Sequence, residues 1–148
     1  MRDEVDTGMS ENDQRRNWNQ QIIEEFRANQ GRVGGPFEGV PLVLLHTRGA
    51  KSGEERVNPL ARLDLDGRVY VFGSNGGRDQ DPGWYYNIRA DPGVTVEIDE
   101  RKYDGRAIVL EGPERERVFA AMVKRQPAFG DYATKVTRTI PVVALDES

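Results

Sequence analysis

Apolar residues recur along this chain at two different spacings, which predict helices in some stretches and strands in others. Trp18, Ile22 and Phe26 lie four residues apart in an otherwise polar stretch, as on one face of a helix that ends near Gly31. Alternating apolar and polar residues, or short apolar runs, are instead typical of strands. They predict about six strands: Val40–Leu45, Val57–Leu65, Arg68–Phe72, Val94–Ile98, Arg101–Leu110 and Ile140–Leu145. Pro59 must lie at an edge or bulge of its strand, because proline has no N–H for the ladder.

Turn residues separate these segments and indicate how they connect. Asp66-Gly67 is typical of a two-residue hairpin, and Asp81 stands where it would cap a short helix. The remaining apolar periodicity predicts two further helices, Pro113–Pro127 and Tyr132–Val136. Consecutive hairpins in a short chain favour antiparallel pairing. We therefore expect a mainly β (α+β) fold, a small barrel of about six mostly antiparallel strands with flanking helices.

The composition narrows the class of protein. The 148 residues suffice for one domain, and we expect a flexible N-terminal tail over residues 1–11 and a single domain over residues 12–148. A formal net charge of −4 offers no long basic surface, so nucleic acid is not an expected partner. The absence of cysteine excludes disulfides, and the single histidine, His46, excludes a multi-histidine metal site. Neither a signal-peptide layout nor a long apolar run is present, which predicts a cytoplasmic protein.

A basic, glycine-containing stretch between two predicted strands is the first candidate for chemistry. Two glycines in Thr47–Gly53 permit positive φ, so that successive backbone N–H groups can converge on one oxyanion. Lys51 and Arg56 add charged donors and Ser52 adds a hydroxyl, which predicts an anion-binding cradle. The glycine spacing differs from that of a nucleotide-triphosphate loop. A solvated hairpin turn explains the same residues equally well.

The second candidate is a loop of small residues, Ser74–Gly77, followed by Trp84 and Asn87 on a predicted helix. Such a loop lets a planar ring approach the backbone, and an indole beside an amide suits a heteroaromatic ligand. The alternative is a core tryptophan with Asn87 as a helix C-cap, and the residues alone favour this alternative.

Tyr132 is the third candidate, because its hydroxyl can donate a hydrogen bond or a proton to a substrate. Half-buried packing is the more frequent role of such a tyrosine. His46 lies in an apolar strand and is better explained as a structural histidine than as a base. The four serines lack the sequence context of a nucleophile, so hydrolase chemistry is not expected.

Five short motifs, taken in order, make the sequence resemble the deazaflavin-dependent nitroreductase family, small actinobacterial oxidoreductases that use coenzyme F420. The resemblance covers about Asn17–Leu145. The motifs are Ile22–Asn29, Gly49-x-Lys51-Ser52-Gly53-x-x-Arg56-x-x-Pro59-Leu60, Ser74-x-Gly76-Gly77, Pro82-x-Trp84-Tyr85-x-Asn87 and Arg138-x-Ile140-Pro141-Val142. The resemblance implies a split β-barrel of the FMN-binding type. It places the F420 phosphate and glutamate tail in a basic groove and the deazaflavin ring over the barrel surface.

Carried over onto this sequence, the resemblance assigns two sets of cofactor-binding residues. The phosphate and tail would be held by Lys51, Ser52, Gly53 and Arg56, with Arg48 offsetting Ala50, which stands where the family usually has a basic residue. The ring and the rest of the pocket would be lined by Pro59, Leu60, Ser74, Gly76, Gly77, Trp84 and Asn87. Asn75 stands where family members often carry lysine, which changes one cofactor contact.

The chemistry that the resemblance implies is hydride transfer from the reduced deazaflavin to an electron-poor acceptor, such as a quinone or a nitro compound. Water or Tyr132 would supply the accompanying proton. Two alternatives stay open: an FMN-dependent oxidoreductase of the related split-barrel class, and a non-catalytic deazaflavin carrier. Arg15, Arg16 and Trp18 also leave open a peripheral contact with an anionic membrane surface. We expect a monomer or a weak dimer.

Overall fold

The alternating segments form a closed barrel in the computed structural model, which describes residues 11–148. Its strands are β1 (Leu42–Arg48), β2 (Glu55–Leu65), β3 (Arg68–Phe72), β4 (Gly93–Ile98), β5 (Arg101–Val109) and β6 (Val142–Glu147). Its helices are α1 (Glu11–Ala28), α2 (Gly83–Ala90), α3 (Gly112–Arg125) and α4 (Ala128–Lys135). Short 3₁₀ turns lie at Gly35–Phe37 and Asn75–Gly77. The predicted tail lies outside the described residues except for Glu11, the first residue of α1.

The strands follow one another around the barrel in the order β1-β2-β3-β6-β5-β4, and every neighbouring pair is antiparallel. This confirms the predicted barrel of six antiparallel strands. The β2–β3 hairpin turns at Asp66 and Gly67, whose φ angles of 55° and 78° are those of a primed turn. None of the helices within residues 11–148 is long and apolar enough to cross a membrane.

The β1–β2 hairpin extends beyond the strands on either side of it. β2 pairs with β1 over Glu55–Ala61 but with β3 only from Arg62 onward. On its other side, β1 pairs with β4 only over Leu44–His46. Pro59 lies in the part of β2 that has no partner in β3, which confirms its predicted edge position. Over Glu55–Ala61 the side of β2 that faces β3 is therefore an unpaired strand edge.

Alternation along β1 divides the core into layers. Val43 and Leu45 belong to the cluster that also contains Trp84 of α2, whereas Leu42 and Leu44 pack against α1. The helices α3 and α4 cover a further apolar face, which consists of Leu63, Tyr70, Phe72, Val118, Met122, Phe129, Val142 and Ala144. Each helix thus buries one apolar face against the barrel, as the sequence pattern predicts.

His46 of β1 contacts two carboxylates, one of which links the barrel to α1. The Nε2 atom of His46 lies 2.6 Å from Glu97 and its Nδ1 atom lies 3.1 Å from Glu55. Arg27 of α1 donates two hydrogen bonds to the same Glu97 carboxylate, at 2.7 and 3.1 Å. The hydrogen bond from Arg27, with a further one from His46, lowers the pKa of Glu97 to about 2 against the opposing effect of burial. His46 is therefore a buried structural residue, as predicted.

Candidate active site

The turn between β1 and β2, residues 49–54, is tightly folded on itself. Gly49 N–H donates to the carbonyl of Glu54 at 2.7 Å, and Gly53 N–H donates to the carbonyl of Gly49 at 2.9 Å. Gly53 has a φ of 73°, which favours glycine. A Cβ atom on Gly49 would lie 2.6 Å from Ser52 Oγ. Both glycines are thus required by the shape of the turn, which we call the cradle loop.

Part of the donor capacity of the cradle loop is not used within the protein. The backbone N–H groups of Gly49, Gly53 and Glu54 donate within the loop, and Ala50 N–H donates to the side-chain oxygen of Asn87. Among residues 11–148, the N–H groups of Lys51 and Ser52 have no acceptor. Ser52 Oγ accepts from Glu54 N–H at 3.1 Å, which leaves the hydroxyl hydrogen for a ligand.

Three basic side chains accompany these donors. Lys51 is exposed and makes no ion pair within the described residues. Arg56 lies 3.9 Å from Glu54, and Arg48 lies 3.8 Å from Asp91 and donates to the carbonyl of Gly53 at 3.2 Å. The four side chains of these two ion pairs are all at least half exposed. Exposed ion pairs at such distances contribute little free energy, so an anionic ligand can compete for both guanidinium groups. The predicted set Arg48, Lys51, Ser52, Gly53 and Arg56 thus lies on one hairpin, and the strand register places Arg48 beside Glu55 and Arg56 beside Thr47, on opposite faces of it.

Asn87 links the cradle loop to α2. Its side-chain oxygen accepts from Ala50 N–H at 2.9 Å, and its side-chain nitrogen donates to Thr47 Oγ1 at 3.0 Å. The C-cap role considered for Asn87 is therefore wrong, because its amide is engaged with another part of the fold. The sequence reasoning missed Thr47, which is 3% exposed and has no recognisable motif of its own.

Three of the other residues predicted to line the ring site are Trp84 on α2 and Pro59 and Leu60 on β2. Trp84 is 4% exposed, so most of its ring packs in the barrel core, as the structural alternative expected. Leu60 is half-buried on β2 and packs against the same cluster, and Pro59 is its neighbour along the strand. Contact of these three side chains with a ligand stays a prediction.

A second loop, residues 73–81, precedes α2 and has an unusual backbone. Three consecutive residues, Asn75, Gly76 and Gly77, have φ angles of 49°, 64° and 85°. Ser74 is buried, and its carbonyl accepts from Gly77 N–H at 2.9 Å. The N–H groups of Asn75 and Gly76 have no acceptor within residues 11–148. We call this segment the ring loop.

Tyr132 of α4 packs on the ring loop. A Cβ atom on Gly77 would lie 3.2 Å from Cδ1 of the Tyr132 ring, so only glycine leaves room for this contact. The ring of Tyr132 also meets Phe129 edge-on, with centroids 5.5 Å apart. Its hydroxyl makes no hydrogen bond among the described residues, which leaves it free to donate to a ligand.

Asp81 has a different partner from the one expected. The N-cap residue of α2 is Pro82, which makes no side-chain capping bond. The carboxylate of Asp81 instead accepts from Arg138 at 2.7 Å. The predicted cap is therefore wrong, because an arginine far along the chain competes for this carboxylate.

The helix α2 connects the two loops. The ring loop leads into α2 at Pro82, and Asn87 on α2 holds the cradle loop. A helix of eight residues is about 12 Å long. Anion donors therefore lie near one end of this helix, and a small-residue loop with unused N–H donors lies near the other. The arrangement fits a flat molecule that carries an anionic extension.

The chain resembles known proteins over most of its length. Residues 18–147 match the family model described as F420H(2)-dependent quinone reductase. An F420H(2)-dependent quinone reductase of Mycobacterium tuberculosis H37Rv is 30% identical over 125 residues, which cover 81% of this chain and 83% of that protein.

Solved structures show the same similarity. The structure of the F420-H2 dependent reductase FDR-A is 39% identical with a TM-score of 0.66, over 72% of this chain and 94% of that one. A structure described as a domain-swapped dimer is 35% identical with a TM-score of 0.68, over 93% of this chain and 100% of that one.

Proposed function

Since the chain belongs to the F420H(2)-dependent quinone reductase family, we propose that its cradle loop holds the anionic part of coenzyme F420 while its ring loop receives the deazaflavin. Family membership confirms the resemblance drawn from the sequence motifs, the split-barrel fold and an F420H2-dependent reductase activity. Coenzyme F420 is accordingly the cofactor, rather than FMN. The roles of individual residues are our proposal.

The donor set of the cradle loop suits the phosphate and glutamate tail of F420. Two unused backbone N–H groups, the Ser52 hydroxyl and three exposed cationic side chains lie on one short hairpin. Phosphate and carboxylate oxygens accept such charge-assisted hydrogen bonds readily. This concentration of exposed donors on the tightly folded hairpin, two of them backbone N–H groups without an acceptor among the described residues, is the observation that carries the proposal.

The ring loop and its neighbours suit the redox-active part of the cofactor. Gly76 and Gly77 have no side chains, so a planar ring can approach their backbone. The apolar side chain of Leu60 packs on the core cluster that contains Trp84 and would exclude water on the barrel side, whereas Pro59 pairs with Leu44 and faces the other side of β2. When bound, F420H2 supplies a hydride, which reduces a quinone together with one proton. Tyr132, whose hydroxyl has no partner among the described residues, donates that proton to the quinone oxygen.

Binding measurements with F420 and FMN test the cradle. Lys51→Ala and Arg56→Ala should each weaken F420 binding by roughly 1.5–3 kcal/mol, because each removes a charge-assisted bond. Arg101→Ala is the matched control, since Arg101 is also exposed and starts a strand at the opposite end of the barrel. Fluorescence of the deazaflavin reports the dissociation constant. Unchanged affinity in both cradle variants, or tight binding of FMN in place of F420, would refute the assignment.

Turnover tests the acceptor. We propose a quinone, because the name of the family carries that substrate class, and a nitro compound as the second acceptor. Oxidation of F420H2 is followed with menadione and with a nitroaromatic compound, each against a reaction without protein. A protein that binds F420H2 but does not accelerate its oxidation by either acceptor would be a carrier.

Two further expectations concern partners. Trp18 is 46% exposed on α1, which supports our proposal of a peripheral membrane contact. Co-sedimentation with anionic vesicles, compared between the wild type and Trp18→Ala, tests it. We also propose a monomer or a weak dimer, and sedimentation velocity distinguishes these from a stable domain-swapped dimer of the kind described for one related structure.

A further inference from the structure

Arg138 lies just before β6 and contacts the ring loop with its whole guanidinium group. Its Nη1 atom donates to the carbonyl of Gly73 at 3.0 Å and to Asp81 at 2.7 Å. Its Nη2 atom donates to the carbonyls of Ser74 at 3.1 Å and Arg78 at 2.9 Å. Its Nε atom donates to the Arg78 carbonyl at 3.2 Å. All the N–H donors of the guanidinium are thus engaged with one segment.

The charge of Arg138 is not available to a ligand. The side chains of Arg138 and Asp81 are only 14% and 24% exposed, and they neutralise each other at 2.7 Å. Arg138 therefore differs from Lys51 and Arg56, whose charges are exposed. Its effect on a bound molecule must pass through the backbone that it holds.

The backbone conformation of the ring loop that Arg138 contacts needs other residues to stabilise it. Asn75, Gly76 and Gly77 all have positive φ, which asparagine and glycine adopt readily, so this flexible triplet has many alternative conformations unless its surroundings fix one of them. Arg138 binds carbonyl groups on both sides of this triplet, at Ser74 and Arg78. The N–H groups of Asn75 and Gly76 remain without an acceptor among the described residues.

The segment around Arg138 adds two further contacts to the ring loop. Thr137 N–H donates to Asp79 at 2.9 Å, and the carbonyl of Pro141 accepts from Gly73 N–H at 2.9 Å. These contacts attach the two ends of the loop. Arg138 adds three hydrogen bonds to Ser74 and Arg78, which flank the positive-φ triplet and otherwise take part only in bonds within the loop, as does the Asn75 side chain, which donates to the carbonyl of Gln80 at 3.0 Å. Removing the guanidinium should therefore release the middle of the loop while its ends stay attached.

We infer that Arg138 is a positioning residue that pre-forms the ring loop, so that the N–H groups of Asn75 and Gly76 stand ready for the carbonyl-bearing edge of a planar heteroaromatic ring. This inference rests on the proposed placement of the deazaflavin at the ring loop. If the loop adopts its binding conformation for only a fraction of the time, its apparent affinity for the ligand is reduced to that fraction of the intrinsic affinity. Loss of Arg138 should thus weaken binding of the ring itself, whatever its tail.

Arg138→Lys tests this role, because lysine keeps the charge but has donors on one atom only. Arg115→Lys is the matched control. Arg115 is 13% exposed and donates to the carbonyl of Ile140 at 2.6 Å, two residues from Arg138, but it does not contact the ring loop. Asp81→Asn is the second variant, which keeps the guanidinium and its carbonyl acceptors and should have a smaller effect.

The ligands are intact F420 and the deazaflavin chromophore without its phosphate and tail. Arg138→Lys should weaken binding of both by a similar factor, about tenfold if the competent fraction falls to a tenth. It should raise the KM for F420H2 while kcat changes little. Hydrogen exchange of the cofactor-free variant should accelerate over residues 74–78. Arg115→Lys should leave the affinities, the KM and this exchange unchanged.

The outcomes separate this inference from the proposed function. If Lys51→Ala weakens binding of intact F420 only and Arg138→Lys weakens neither ligand, the cradle stands and the inference on Arg138 is overturned. If Arg138→Lys accelerates exchange of the ring loop but leaves both affinities unchanged, the loop is not the ring site, and the inference falls with that part of the proposed function. If the two arginine variants weaken both ligands equally, the effect is a general loss of structure, which also overturns it.

Discussion

The carboxylate of Glu97 offers a prediction whose size follows from the structure. It accepts two hydrogen bonds from Arg27 and one from His46, and its side chain is 13% exposed. Glu97→Gln keeps the size of the side chain and removes its charge. A pKa that folding lowers from 4.5 to about 2 corresponds to about 3 kcal/mol of stability at neutral pH. We expect Glu97→Gln to lose most of this amount.

The same carboxylate gives the variant a defined pH dependence. Because the folded-state pKa lies below the unfolded one, the stabilisation is complete above the unfolded value of 4.5 and is lost as the pH falls towards 2. The difference between the wild type and Glu97→Gln should therefore shrink by about half between pH ~7 and pH ~3. Urea unfolding, followed by far-ultraviolet circular dichroism at both pH values, measures it.

Glu147→Gln provides the control for this experiment. Glu147 accepts a hydrogen bond from Arg101 at 2.6 Å, but both side chains are about 60% exposed. Such an exposed pair contributes at most about 1 kcal/mol. Equal losses in the two variants at neutral pH, or a deficit of Glu97→Gln that stays constant with pH, would refute the reasoning.

Three further predictions concern the barrel and the site. Gly105→Ala should lower the free energy of unfolding by roughly 1–3 kcal/mol or more, because its Cβ would overlap a backbone carbonyl of β6. Gly83→Ala is the control, since Gly83 has open space around it. Equal free energies of unfolding for the two variants in urea would contradict the prediction. Asn87→Ala should weaken F420 binding about tenfold, because it leaves the Ala50 N–H without its acceptor; fluorescence titration measures this, and unchanged affinity would count against the link. Tyr132→Phe should lower kcat with menadione while the F420 dissociation constant stays unchanged; an unaltered kcat in stopped-flow turnover would remove the proton-donor role.

The barrel could be predicted because each strand and each turn is determined by residues that are close together in the sequence. Alternation of apolar and polar residues marks each strand, and turn residues such as Asp66-Gly67 fix two neighbouring strands as a hairpin. The ends of elements were less accurate. β6 begins and ends two residues later than predicted, because its last residues, Asp146 and Glu147, pair with Arg106 and Gly105 of β5. These pairs join residues that are far apart in sequence, which no local pattern reveals.

The candidate site divides in the same way. The cradle loop was recognisable because its glycines and cations are consecutive along the chain. The support of the ring loop was not, because Arg138 lies about 60 residues away from the carbonyls that it binds. Asp81 stands at the sequence position of a helix cap, and only the fold shows that its carboxylate binds Arg138 instead. Sequence spacing thus identifies candidate ligand-binding groups more readily than the groups that hold them in place.

The part of β2 that extends past β3 is an exposed strand edge, which favours aggregation at high protein concentration. An unpaired strand border is a template on which another chain can add a strand and begin an aggregate. Pro59 interrupts this border, since it has no N–H to offer, and the charged side chains of Glu55 and Arg56 repel a close neighbour in the same register. Two residues that the sequence predicts at the cofactor site, Pro59 and Arg56, would thereby also keep separate molecules from joining edge to edge.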